Sequence, residues 1–260
     1  IICLAVQGRG ELLVVNGGAG VGKSRLLAEV VALASEHGMT GVRGDCLSYG
    51  AQSPYLPWIE LLNAYFRLDG AAGDQVEDRV GQIERRMVAA DPGLAPWVPL
   101  MAQLLGLPVP DNELTASLDL QLRKQRTFDI VLTLLRHQAQ RVPLFLIVFE
   151  DVHWIDTISL EMLDYVARNI GDHPILLVTL HRPTIELAEW ERYDYHHTIE
   201  LADLPAEDAL ALVRSRLGVS EVPASLRDRV LRGGERINPF FVEELINALI
   251  DRGVLKPVGD

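Results

Sequence analysis

Cysteine is scarce in this chain: only Cys3 and Cys46 occur in 260 residues. Two cysteines without a repeated spacing exclude both a disulfide framework and a cysteine-built zinc centre, and they fit a reducing, cytoplasmic setting. Positive charge is also short. The 24 Lys and Arg stand against 36 Asp and Glu, a formal net charge of −12, which argues against a broad nucleic-acid footprint. No apolar run approaches the roughly 20 residues of a membrane-spanning helix, and the opening residues lack the basic segment that starts a signal peptide. Internal repeats and low-complexity tracts are missing as well. The chain does not begin with Met. Residues 1–6 read as the end of a helix already under way, so a fragment of a longer polypeptide is expected.

What is present is enough for a packed core. Apolar residues make up 48% of the chain and charged residues 23%, ordinary proportions for a globular protein, and the length allows one large domain or a large and a small one. The organising stretch is Leu12, Leu13, Val14 and Val15, followed after Asn16 by GGAGVGKS at 17–24. A short β-branched run leading into G-x-x-x-x-G-K-S and then a helical pattern is the strand, phosphate loop and helix of a P-loop nucleotide site. Glycines let successive backbone N–H groups converge on a phosphate, and the following helix aims its positive end at the same anion. The motif makes Gly17, Gly18, Ala19, Gly20, Val21, Gly22, Lys23 and Ser24, with Arg25 after them, the expected nucleotide contacts. In that reading Lys23 reaches the β- and γ-phosphates and the Ser24 hydroxyl ligates Mg²⁺.

The remaining elements follow from periodicity and punctuation. A helix with the stripe Leu26, Leu27, Val30, Val31 and Ala34 closes at Gly38, and 40–45 form a short strand. A Ser, Gly, Pro and Tyr-rich loop follows at 47–57. Helices are expected over 58–66 and 75–90, the second capped by Asp74. Prolines 92, 96 and 99 break the pattern before a short helix at 100–105. One long helix is expected over 115–141, with Phe128, Val131, Leu132 and Leu135 on its buried face. A largely helical insertion therefore separates the second strand from the third.

Residues 144–149 are continuously apolar, the mark of a strand buried on both faces of a parallel sheet, and they end in Glu150 and Asp151. An apolar strand delivering carboxylates from its C-terminal end is a Walker B arrangement: one acid holds Mg²⁺, the other orients or deprotonates the attacking water. His153 reads as a packing or hydrogen-bonding residue and Asp156 as a helix cap for 157–169. A second buried strand at 175–180 runs into Arg182, a cation placed to sense the γ-phosphate, or else a solvated arginine before Pro183. A last strand covers 198–201, where adjacent His196 and His197 point to opposite faces and cannot share one metal. From 206 onward only helices are expected, at 207–217, 224–231 and 239–252, with Pro239 in a favourable first-turn position.

Laid out in this order, the chain resembles the ATPase module of the STAND branch of AAA+ P-loop proteins, of the type attached to bacterial adenylate/guanylate cyclases and large LuxR-type transcription regulators. Four blocks carry the likeness: GGAGVGKSRLL (17–27), GDCLSYGAQSPYLPW (44–58), LFLIVFEDVHWID (144–156) and LLVTLHRP (176–183). A fifth, NPFFVEEL (238–245), resembles the family's helical-lid signature. The resemblance implies a three-layer α/β P-loop NTPase with a parallel sheet, residues 1–203, followed by a helical lid, 204–260. It implies phosphate and Mg²⁺ contacts at Gly22, Lys23 and Ser24, Walker B roles at Glu150 and Asp151, a sensor role at Arg182, and adenine contact from the lid around Pro239. ATP, ADP and Mg²⁺ would be the ligands. The partners would be a linked effector domain and a second copy in nucleotide-dependent self-association, with no membrane and no direct nucleic-acid contact. Two departures stand out: Ile237 replaces the glycine usual before the Asn-Pro pair, and the upstream G-R-E segment that helps hold adenine is missing.

The expected activity is slow Mg²⁺-dependent ATP hydrolysis used as a switch, with nucleotide binding biasing open and closed arrangements of core and lid. Three rivals stay open: a non-catalytic nucleotide-dependent scaffold, kept alive by Glu150 where Asp is commoner; a P-loop phosphotransferase, which would draw on the arginines at 214–232; and a DNA-associated loader, disfavoured by the acidic balance.

Overall fold

The computed structural model describes residues 1–48, 53–68, 75–184, 188–232 and 234–252. The chain opens with α1 (Ile2–Val6), β1 (Glu11–Gly17), α2 (Lys23–Ser35) and β2 (Thr40–Asp45). The helical insertion comprises α3 (Leu56–Phe66), α4 (Val76–Ala90), α5 (Val98–Leu104), α6 (Glu113–Ala116) and α7 (Leu120–Ala139). β3 (Phe145–Glu150), α8 (Thr157–Ala167), β4 (Ile175–His181) and β5 (His196–Leu201) follow. The last part holds β6 (Leu204–Pro205), α9 (Ala206–Leu217), α10 (Ala224–Leu231), β7 (Arg236–Ile237) and α11 (Pro239–Asp251).

The strands form one five-stranded parallel sheet in the order β2-β3-β4-β1-β5, flanked by helices, so the α/β class expected from the sequence holds. β3 pairs in parallel with β2 and β4, and every residue of β3 up to Phe149 is buried. That burial is why its sequence is unbroken apolar rather than alternating.

Residues 1–14 with 30–198 form one compact unit, and residues 15–29 with the described residues from 199 onward form a second. In the first unit the insertion helices pack on the sheet through large buried side chains. Trp58 lies tilted against Phe149 with ring centroids 4.8 Å apart, and its indole N–H donates to Ser159 O at 3.0 Å. A buried Trp needs such an acceptor, since an unmet N–H in the core carries a desolvation cost of about 1–3 kcal/mol. In the second unit α9, α10 and α11 enclose their own apolar core, including Val213, Val230, Val242 and Ile246.

Several sequence expectations change here. The single helix expected over 115–141 is two. Asn112 caps α6 in a reciprocal box with Thr115, and Asp119 accepts from Leu122 N at 2.8 Å to start α7 afresh. Short polar side chains that bond nearby backbone interrupt a helix even where the apolar stripe suggests continuity. Pro99 does not break a helix but sits in the first turn of α5, where its missing N–H costs nothing. The lid region is not purely helical: β6 and β7 pair antiparallel, with Leu204 opposite Ile237. α4 is preceded by Gln75, which makes no side-chain cap bond. The expected cap, residue 74, lies outside the described residues.

Candidate nucleotide site

β1 is buried from Glu11 to Val15 and delivers the phosphate loop at its end. Gly20 and Gly22 have φ of +74° and +97°, the left-handed region that favours glycine. A Cβ at Gly22 would meet nothing within 4 Å, so there the glycine serves the backbone alone. At Gly20 a Cβ would lie 2.7 Å from both Asn238 Oδ1 and Phe240 Cβ, so this glycine also admits a close neighbour. Lys23 Nζ donates to Gly17 O at 2.8 Å and Gly18 O at 2.7 Å, which folds the ammonium over the loop that would hold the phosphates. Arg25 is exposed and pairs with Glu29 one turn along α2 at 2.8 Å.

The neighbour at Gly20 is the NPFF segment. Asn238 caps α11: its Oδ1 accepts from Phe240 N at 3.1 Å. Its Nδ2 donates to Ala19 O at 3.0 Å and to Asp203 Oδ1 at 2.9 Å. Phe240 N also donates to Gly20 O at 3.2 Å. Pro239, the expected adenine contact, stands between these two loop-binding residues at the start of α11. Ile237, which stands where the resembled family has glycine, is 2% exposed and packs in the apolar core of the second unit, where its pairing with Leu204 places it. The segment 238–240 meets the loop through Asn238 and Phe240 with that isoleucine in place.

In the other unit, parallel register sets Asp45 beside Glu150. Neighbouring strands lie about 4.8 Å apart, so two carboxylates on one face repel. Arg43, two residues before Asp45 and therefore on the same face, meets both. Its Nε donates to Asp45 Oδ1 at 2.6 Å and its Nη1 lies 3.0 Å from Glu150 Oε1. The hydrogen bond to Asp45, ahead of the fields of Glu150 and Glu60, raises the guanidinium pKa above its ordinary value. Asp151 follows with φ +52°, one of three non-glycine residues in the left-handed region among the described residues, and its side chain is 57% exposed. Aspartate tolerates that conformation better than most residues.

Residues 2–178 match the AAA ATPase domain family. The chain belongs to that family. Residues 205–256 match a domain of unknown function, DUF8739. The uncharacterized protein R02095 of Rhizobium meliloti (strain 1021) is 28% identical over 245 residues, covering 92% of this chain but only 23% of that protein. Among solved structures, an E. coli HORMA:CdnC:Trip13 complex aligns with 97% of this chain and 71% of its own at TM-score 0.49 and 11% identity. AMPPCP-bound DnaA from Aquifex aeolicus aligns with 97% of this chain and 59% of its own at TM-score 0.47 and 11% identity.

Just beyond the matched stretch, Arg182 directly follows β4 and is exposed, while His181 before it is 4% exposed with Nδ1 2.8 Å from Arg182 O. Asp156 caps α8 as expected, accepting from Ser159 N at 2.9 Å. His153 is a packed residue, its ring 5.1 Å from that of Trp154. Beside the acidic strand ends, burial pushes the Cys46 thiol up to about 12, with Asp151, Asp156, Asp45 and Glu60 adding to the shift. It stays protonated and unreactive. No group of three or more His, Cys, Asp or Glu that could hold a metal occurs among the described residues. No helix among the described residues is long and apolar enough to cross a membrane.

The contacts of two residues at the candidate site escaped the sequence reading. Asn238 lay inside a quoted motif, but its reach to Ala19 crosses 219 positions. Arg43 showed only its i, i+2 spacing to Asp45; its partner Glu150 depends on strand register.

Proposed function

We propose that this AAA ATPase domain binds ATP with Mg²⁺, hydrolyses it slowly to ADP and phosphate, and so switches a linked signalling or transcription effector in a longer polypeptide. The order of the five sequence blocks supports placing it in the STAND branch, with residues 1–203 as the nucleotide core and 204–260 as the lid. The observation that carries the switch is the bonding of Asn238 and Phe240 to the carbonyls of Ala19 and Gly20. A phosphate held by the loop's amides must be accommodated by the same residues whose carbonyls fasten the lid helix. Occupancy of the loop and attachment of α11 are therefore linked, and a ligand that changes one changes the other.

Lys23 and the loop amides bind the β- and γ-phosphates. Mg²⁺, when bound with the nucleotide, would supply charge neutralisation at the phosphate oxygens. Asp151 takes the proton from a water whose oxygen bonds the γ-phosphorus as the bond to the β–γ bridging oxygen breaks, leaving ADP. Arg43 holds Glu150 in place. That same ion pair favours a second reading, a nucleotide-dependent scaffold without turnover, because it occupies one of the two acids; phosphate release from the purified protein separates the two.

The switch is tested by hydrogen exchange across α11. Wild type is expected to show different protection with ATP and with ADP. Asn238→Ala should abolish the difference while ATP affinity falls less than about tenfold, since one or two neutral hydrogen bonds contribute about 1 kcal/mol each. Identical exchange in wild type with either nucleotide would remove the switch.

Arg182 offers a separate check. A cation at the end of β4 that contacts the γ-phosphate loses its partner on hydrolysis, and charge-assisted bonds of this kind contribute about 1.5–3 kcal/mol. Arg182→Ala should then weaken ATP by about tenfold or more and leave ADP nearly unchanged. An unaltered ratio of the two dissociation constants means the arginine is simply solvated.

A further inference from the structure

At the opposite ends of β2 and β3 from Asp45 and Glu150, a cavity of about 460 Å³ opens beside Thr40 and Phe145, which are paired at the start of the two strands. Six residues make a strand rise of about 17 Å, so this cavity is remote from the Walker B acids. Its cationic wall is formed by Arg67 at the end of α3, Arg86 of α4, His137 of α7 and Arg141 just beyond it. No Asp or Glu lines it, and none of the three arginines pairs with a carboxylate among the described residues. In a chain with 12 more acids than bases, such a gathering of cations with no carboxylate partner among the described residues requires a reason.

The bland account is that cations suit the negative ends of α3 and α7. Each helix end carries the equivalent of only about half an elementary charge, against three full positive charges. The surplus is felt by the residues themselves. Burial, then repulsion from Arg67, lowers the Arg86 pKa, and burial, then Arg141, lowers that of His137. Arg86 is nonetheless built into place: Nη1 donates to Tyr65 O, and its guanidinium carbon lies 5.6 Å from the Tyr65 ring centroid. Arg67 is held at φ +57°, outside the backbone region arginine prefers, as the cap residue of α3. One arginine is thus anchored and another turned in a costly conformation beside a cavity whose walls repel one another. An anion resolves that repulsion.

We propose that this cavity is a second anion site, distinct from the phosphate loop, which binds a small phosphate-bearing molecule of pyrophosphate type. Guanidinium groups supply paired donors that match phosphate oxygens, and the cavity volume suits a small ligand rather than a polymer. Its walls come from α3, α4, α7 and the starts of β2 and β3, so a bound anion joins the helical insertion to the sheet at the end away from Glu150.

The test is calorimetric titration of pyrophosphate into a Lys23→Ala chain, which removes the phosphate loop's lysine from competition. One site per chain is expected. Its affinity should fall at least tenfold in an added Arg67→Gln, Arg141→Gln pair, two exposed positions whose loss leaves the core intact, while Arg229→Gln on the lid leaves it unchanged. Citrate, of similar charge, should bind at least tenfold more weakly. Absence of binding, or equal affinity with and without the paired substitutions, overturns the site. Equal affinity for citrate overturns its assignment to phosphate.

Discussion

Lys23→Ala is expected to lose most of the affinity for ATP, on the order of 30-fold or more, because a charge-assisted contact to phosphate contributes about 1.5–3 kcal/mol and each 1.4 kcal/mol is tenfold. The fold should survive. The lysine's bonds to Gly17 O and Gly18 O are two hydrogen bonds at the edge of a loop, not part of the apolar core. Removing them from a partly exposed carbonyl pair costs about 1 kcal/mol. A calorimetric titration with ATP, accompanied by a thermal melt of each protein, separates the two effects. Unchanged ATP affinity would mean that the loop is not the triphosphate's seat, whatever its spelling.

Asp151→Asn is expected to reduce turnover by on the order of 100-fold while ATP affinity changes by less than about threefold, since positioned acid–base groups contribute about 10²–10⁴-fold to rate. The substitution is chosen for the backbone as much as for the charge. Asp151 occupies the left-handed region, which asparagine also tolerates, so the change removes the carboxylate without forcing the turn. Glu150→Gln should have the smaller effect on turnover, about tenfold, because Glu150 is half-committed to Arg43 and, in the proposed mechanism, would act at the metal rather than on the attacking water. Single-turnover phosphate release with saturating ATP measures both. If Asp151→Asn hydrolyses ATP at the wild-type rate, the proton acceptor is another group and Asp151 is a turn residue.

The phosphate-loop motif, both buried central strands and the helix cap at Asp156 were legible because each is a local matter. Glycine at 20 and 22 answers to backbone conformation at those positions. The unbroken run 144–149 answers to burial on two faces, and Asp156 bonds an amide three residues away. Local patterns also misled where two local forces competed. The apolar stripe from 115 to 141 was real, yet Asp119 restarted the helix by capping Leu122.

The chain's own residue order thus determined the AAA ATPase class, the parallel α/β plan and the glycine-rich loop after β1, since short-range geometry follows directly from side-chain type and spacing. Only the tertiary structure decided that Arg43 meets Glu150 as well as Asp45, that Asn238 fastens α11 to Ala19, that Ile237 packs in the core of the second unit, and that Arg67, Arg86 and Arg141 line one cavity. Each of these depends on strand register or on which helix ends meet. Those are settled by the summed packing of residues tens to hundreds of positions apart, and no window of sequence contains that sum.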